Sequence, residues 1–157
     1  MKHRYWDSSC FIAWLNEEPD RVDACEGVVQ QAKDGDLQIV TSAITLIEVI
    51  KPGATLEFDG DKNDIIRRFF QQKFIIVRDV DRTLAEEGRR LIWSYPHLRY
   101  KDAIHAATAM LSDGVEVLDT FDTDLLRLDG ELGDPGLRIA QPDVPFQTAI
   151  AVPDVQP

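Results

Sequence analysis

Tyr100-Lys101-Asp102-Ala103-Ile104-His105-Ala106-Ala107-Thr108-Ala109-Met110 is the stretch from which the rest of the chain is best read. It predicts a helix that is small and apolar almost all round, with alanine dominating and Ile104 and Met110 supplying bulk. A helix this smooth can lie close against a sheet, which places it in the interior. Its carboxylate, Asp102, falls in the first turn. There the helix dipole favours negative charge, and backbone N–H groups without helical partners can meet it. A lone Asp in that position is an ordinary helix start. Three other stretches also set an acid at an element boundary, and that makes Asp102 a candidate for chemistry.

Reading outward from this helix gives alternating strands and helices. Just before it, Asp81 caps a long amphipathic helix through Leu84, Ala85, Gly88, Leu91 and Ile92 that ends before Pro96. Just after it, Val115–Leu118 is a strand that runs into Asp119-Thr120-Phe121-Asp122-Thr123-Asp124, followed by a short helix over Leu125–Leu128 and a last strand over Leu137–Ala140. At the start of the chain, Arg4-Tyr5-Trp6 is β-prone and stops at Asp7-Ser8-Ser9, with Ser8 or Ser9 capping the helix that Cys10 opens. A second helix spans Asp20–Lys33 and closes at Gly35. Leu37–Val40 is a strand, and Thr41-Ser42 caps a mostly apolar helix over Ala43–Ile50 that Pro52-Gly53 ends. Glu57–Asp64 reads as an acidic loop, Ile65–Gln72 as a helix with Arg67 and Arg68 facing outward, and Phe74–Val77 as a buried strand. This order predicts a three-layer α/β/α sandwich around a mainly parallel central sheet. One domain covers residues 1–140, and the Pro-rich tail over 141–157 reads as extended or disordered, with Val144-Pro145-Phe146 able to dock on the body.

Composition narrows the function. The chain has 157 residues, 44% hydrophobic and 29% charged, as in ordinary globular domains. No apolar run is long enough to span a membrane. The N-terminal Lys2, His3 and Arg4 have no apolar signal core behind them, so the expected location is the cytoplasm. Cys10 and Cys25 make neither a metal pair nor a disulfide framework and read as reduced core thiols. The net charge of −11 argues against a basic surface that coats nucleic acid. It leaves room for a nuclease that draws its substrate in with bound metal and a few local cations. Much of the excess is local, with nine acids against Arg127 and Arg138 between Asp113 and Asp143.

In an open parallel sheet, functional groups gather at the carboxyl ends of the strands. Asp7 ends the first strand, and Asp119, Asp122 and Asp124 follow the strand at Val115–Leu118. Glu48 is the one charge in Ile44-Thr45-Leu46-Ile47-Glu48-Val49-Ile50, where a carboxylate on an apolar helix face is costly unless paired or metal-bound. An Arg or Lys such as Lys51 is the plain alternative partner for it. His105 lies one turn from Asp102 and reads as a structural, hydrogen-bonded histidine.

With these residues in order, the chain resembles PIN-domain proteins, and most closely the VapC-type toxins of bacterial toxin–antitoxin pairs. The likeness rests on Asp7-Ser8-Ser9, on Glu48 within Ile44–Val49, on Lys101–Ala109 around Asp102, and on Thr120-Phe121-Asp122-Thr123-Asp124-Leu125. It covers roughly Lys2 to Ala140. Phe121 departs from the family pattern, which usually has a polar residue beside the fourth acid.

The resemblance implies an acidic quartet of Asp7, Glu48, Asp102 and Asp122, with Asp124 auxiliary. The place of the fourth acid stays open among Asp119, Asp122 and Asp124. Asp7, Asp102 and Asp122 would be metal ligands, the first two the principal ones. Glu48 and Asp122 would act through water or orient the nucleophile. Ser8 or Thr120 would support the acids, and Arg99 and Lys101 would meet phosphate. Clustered carboxylates repel unless a cation neutralises them, and an all-oxygen set suits Mg²⁺ or Mn²⁺. The activity implied is endoribonuclease cleavage through a metal-activated water, leaving a 5′-phosphate. The partners implied are RNA, a small cognate antitoxin and a second copy in a homodimer. Trp14 and Phe69-Phe70 are offered as attachment points for the antitoxin. A housekeeping RNA-processing nuclease and a catalytically silent PIN-like binding module are the competing readings.

Overall fold

Alternation along the first strand divides the core in two. In the computed structural model, which describes residues 1–49 and 60–143, β1 spans Lys2–Trp6 and ends on two fully buried aromatic residues. Successive side chains of a strand leave opposite faces. Trp6 packs with Phe11, Cys25, Val28 and Ile39 on one side, and Tyr5 with Val40, Ala106 and Leu118 on the other.

The remaining elements are α1 (Ser8–Leu15), α2 (Val22–Lys33), β2 (Leu37–Ser42), α3 (Thr45–Glu48), α4 (Gly60–Phe70), β3 (Ile75–Arg78), α5 (Arg82–Ser94), α6 (Tyr100–Met110), β4 (Val115–Asp119), α7 (Thr123–Leu126) and β5 (Arg138–Ala140). The five strands form one sheet in the order β3-β2-β1-β4-β5, and every pairing is parallel. Helices α1, α2 and α4 supply the core on the Trp6 side, and α5, α6 and α7 supply it on the Tyr5 side. The three-layer α/β/α sandwich expected from the sequence is therefore present, with a sheet parallel throughout.

Helix α6 keeps the bounds that its sequence predicts. Its alanines at 103, 106, 107 and 109 are buried, and it packs on β2, β4 and α5. Gly88 of α5 sits against it, where an added Cβ would lie 3.6 Å from the Ala103 carbonyl oxygen. Cys10 and Cys25 are buried free thiols, as read.

Several local expectations are corrected. The helix expected over Ala43–Ile50 is a single short helix, α3, which ends where Val49 leaves helical geometry at φ −91°, ψ 60°. Ile44, Thr45, Ile47 and Val49 are β-branched and stiff at χ1, so this run sustains little helix. Thr41 is strand rather than cap; its hydroxyl donates to the Trp6 carbonyl, while Ser42 Oγ accepts from the Ile44 N–H. Helix α4 begins at Gly60, inside the stretch read as loop. Phe69 and Phe70 are core, with Trp14 stacked on Phe69 at 4.6 Å between ring centroids, so they offer no attachment point for a partner. Ile50, the Pro52-Gly53 stop, Glu57 and Asp59 of the acidic stretch, and Val144-Pro145-Phe146 of the tail lie outside the described residues.

Candidate active site

The strand order reverses at β1, which lies between β2 and β4. Chains leaving neighbouring strands part at such a point, and a crevice opens above the carboxyl ends. Each acid arrives there from a different element. Asp7 follows β1, Glu48 ends α3, Asp102 lies in the first turn of α6, and Asp122 caps α7.

Asp7 is buried and held mainly by neutral donors. Its Oδ1 accepts from the Ser9 hydroxyl and from the Cys10 N–H at 3.3 Å, and its Oδ2 accepts from the Thr120 hydroxyl. Asp7 itself is therefore the N-cap of α1, in place of the expected Ser8 or Ser9. Ser9, rather than the nominated Ser8, is the serine that supports it. The sequence carries a signal for the cap alone, since an Asp at a helix start commonly accepts from a backbone N–H two or three residues on. Burial pushes the Asp7 carboxyl above its ordinary value, against the opposing charge of His105 and the two hydroxyls.

Thr120 connects Asp7 to the next acid. Its Oγ1 donates to Asp7 and accepts from the Asp122 N–H at 2.9 Å. Asp122 Oδ1 accepts from the N–H groups of Asp124 and Leu125, at 2.9 and 3.2 Å. Its Oδ2 accepts from Arg99 at 2.7 Å, and the same guanidinium donates through Nε to Asp102 Oδ2 at 2.8 Å. Burial raises the Asp102 carboxyl, Arg99 opposes that, and the nearby Asp122 adds to it.

Glu48 is held by two cationic or donating side chains of α6. Lys101 Nζ lies 3.1 Å from Oε2, and His105 Nε2 lies 2.7 Å from Oε1. The other ring nitrogen, Nδ1, meets the Tyr5 hydroxyl at 2.7 Å, so the buried imidazole is satisfied at both ends. Burial would raise the Glu48 carboxyl, but the hydrogen bonds and charges of His105 and Lys101 outweigh it and hold the group at about 2. His105 is the structural histidine expected; its bond to Glu48 and the part played by Tyr5 were not read from sequence. Lys51, the sequence-level partner for Glu48, lies outside the described residues.

The three acids after β4 differ sharply. Asp119 is fully buried and closed off: Arg4 donates to both its oxygens at 2.7 and 2.6 Å, and Trp6 Nε1 donates at 3.1 Å. Asp124 pairs with Arg127 at 3.2 Å. Asp122 is the one joined both to Asp102 and, through Thr120, to Asp7. Phe121 is half-buried and packs on the Trp6 side of the core, with the Arg21 guanidinium 4.7 Å from its ring centre, so a packing residue stands where the family usually has a polar one.

Asp7, Asp102 and Asp122 offer oxygen alone, a set that matches a hard divalent cation in kind. Asp102 and Asp122 already converge on one positive group. Among the described residues no three His, Cys, Asp or Glu are grouped so as to hold an ion in this arrangement. None of the described helices is long and apolar enough to cross a membrane.

The solved structure of VapC20 from Mycobacterium tuberculosis, a sarcin-ricin loop cleaving toxin, is similar to this chain with a TM-score of 0.60 and 17% identity, over 76% of this chain and 90% of that one. FitAcB from Neisseria gonorrhoeae is similar with a TM-score of 0.52 and 17% identity, over 88% of this chain and 96% of that one. No curated protein matches by sequence. At this identity the two structures speak for the fold. The family model described as PIN domain matches residues 4–131, nearly the whole of the folded body, and the chain belongs to the PIN-domain family.

Proposed function

We propose that the chain is a metal-dependent endoribonuclease, the toxin of a VapBC-type toxin–antitoxin pair. The observation that carries the reading is the single network at the carboxyl end of the sheet. Asp7, Thr120, Asp122, Arg99 and Asp102 form one run of hydrogen bonds, and Lys101 and His105, on the same helix as Asp102, bring in Glu48. The nuclease class is taken from VapC20, without its particular RNA target.

When bound, Mg²⁺ or Mn²⁺ supplies activation of water and stabilises charge on the phosphate. Asp7, Asp102 and Asp122 would hold the ion. Ser9 and Thr120 fix the orientation of the Asp7 carboxylate. Glu48, held at about 2 by Lys101 and His105, stays ionised at neutral pH and would orient the water as an acceptor rather than take its proton. Lys101 and Arg99 are 41% and 59% exposed in their side chains and stand at the rim, where a phosphate can reach them. Asp124, paired with Arg127, has an auxiliary role at most.

The partners proposed are RNA, a small cognate antitoxin and a second copy of the chain, and the location proposed is the cytoplasm. Exposed Leu46, Ile47, Trp93 and Tyr100 support apolar protein contacts close to the site.

The test is cleavage of total RNA by purified protein with Mn²⁺ or Mg²⁺, beside Asp7→Asn, Asp102→Asn and an EDTA control. Metal-dependent cutting that both substitutions abolish supports the nuclease and its site. No cutting by folded, antitoxin-free protein on any RNA offered moves the chain to the silent binding module.

A further inference from the structure

We propose that Arg99 is a built-in competitor for the divalent cation: its guanidinium, which bridges Asp102 and Asp122, leaves them when the ion binds. The proposal rests on the metal-dependent reading of the same acids.

The geometry is that of one cation between two carboxylates drawn from different elements. Nε donates to Asp102 at 2.8 Å and Nη2 donates to Asp122 at 2.7 Å, each to an Oδ2 atom. Two carboxylates brought together repel, and a single positive group between them relieves this. A hard divalent ion needs lone pairs of the same oxygens and carries like charge to the guanidinium. The two cations therefore oppose one another, and the coupling is reciprocal: what Arg99 gains from the acids, the ion must displace.

Arg99 is also the clamp best able to let go. Asp119 is gripped by an Arg4 side chain that is only 18% exposed, and Glu48 by a His105 that is 1% exposed. Asp7 is held by hydroxyls and a backbone N–H rather than by any cation. The Arg99 side chain, by contrast, is 59% exposed and can rehydrate, with the ion taking over the charge of the Asp102 carboxylate, whose side chain is 10% exposed. Its backbone is extended, at φ −72°, ψ 152°, just before the first turn of α6, and its side chain makes no cap hydrogen bond. Its departure costs the helix nothing. Both pairs have their Arg99 end in solvent, and giving up the two together weakens the ion by roughly tenfold.

The test is Mn²⁺ binding to the full chain by calorimetry and electron paramagnetic resonance, with no RNA present. Wild type is compared with Arg99→Gln, Arg99→Lys, Asp102→Asn and the double variant Arg99→Gln/Asp102→Asn, each checked for folding by circular dichroism. Arg99→Gln should bind Mn²⁺ about tenfold more tightly than wild type, and Arg99→Lys should fall between them. In metal-free buffer Arg99→Gln should melt below wild type, and Mn²⁺ should close that gap. Asp102→Asn should lose the binding in both backgrounds. Equal or weaker Mn²⁺ binding by Arg99→Gln overturns the competitor role while leaving the metal site standing. Tight binding that survives in the double variant also overturns it, since the ion then lies elsewhere. No Mn²⁺ binding by any of the proteins overturns the metal reading, and the competitor with it.

Discussion

Asp7 and Glu48 are acids in one site with opposite electrostatics, and pH separates them. Burial raises the Asp7 carboxyl, so the folded protein binds that proton more tightly than the unfolded chain does. Ionised Asp7 is then a burden at neutral pH. The burden lifts as pH falls through the raised value and is gone below the ordinary 3.8. Asn fits the cage, accepting from Cys10 and Ser9 and turning its amide toward Thr120. Asp7→Asn in EDTA should therefore melt higher than wild type near pH 7, by about 2–4 °C for a change near 1 kcal/mol. The gain should vanish toward pH 4, and an equal or lower melting point at pH 7 would count against a penalised carboxylate. Glu48 runs the other way. Held at about 2 against an ordinary 4.5, it contributes stability that is full above pH 4.5 and is lost as pH falls through about 2. Glu48→Gln removes one acceptor and sets an amide against Lys101 or His105, at a cost of roughly 1.5–3 kcal/mol. Urea titrations between pH 7 and 2.5 should show that deficit narrowing below pH 4.5. A deficit constant with pH would mean that Glu48 matters only for packing.

Element by element, α6 was legible in full and its neighbours in part, and the difference is physical. Small apolar residues on nearly every face suit a helix packed close against a sheet, and its bounds and burial agree with that composition. Its contact with α5 depends on size at single positions. Gly88→Ala places a methyl at 3.6 Å from a carbonyl, which is ordinary contact, and improves helix propensity. It should stabilise by about 0.5–1 kcal/mol. Ala106→Leu, at a fully buried position facing the sheet, should destabilise by about 1–3 kcal/mol through overpacking. Denaturant midpoints of the two variants, moving in opposite directions, check the pair. The caps were harder to read. Ser8 and Ser9 are good caps by composition, yet Asp7 takes the position because its carboxylate accepts from Cys10 N–H and the Ser9 hydroxyl together. The length of α3 was overread because apolar content hid a β-branched run that sustains only four helical residues. Asp7 and the acids after β4 are legible from their places at strand ends, Glu48 from its apolar helix face and Asp102 from its helix start. Their partners came from distant segments, such as Arg4 with Asp119 or His105 with both Tyr5 and Glu48, and no local pattern records those pairings.

At the scale of the whole molecule the puzzle is an RNA-cutting reading on a chain of net charge −11. The structure divides those charges by what they do. Asp119 is spent on Arg4 in the interior, Asp102 and Asp122 share Arg99, and Glu48 is matched by Lys101. Asp113, Glu116, Asp129, Glu131, Asp134 and Asp143 lie exposed and repel a polyanion. On that reading RNA would be held at the site by few cations, with Arg99 and Lys101 the nominated ones. Binding of single strands releases about 0.7 counterion per phosphate neutralised, so two contacts predict a slope of about −1.4 for log affinity against log salt. Screening of the exposed acids makes the slope shallower still, because added salt relieves their repulsion. The measurement is binding of a short single-stranded RNA whose leaving 3′ oxygens are replaced by methylene, which attacking water cannot cleave, to wild type at fixed Mn²⁺ while KCl is varied. Lys101→Met should weaken binding and flatten the slope by about 0.7. A wild-type slope steeper than about −4 would mean that a basic surface engages the RNA, and Arg99 and Lys101 would no longer be its principal contacts.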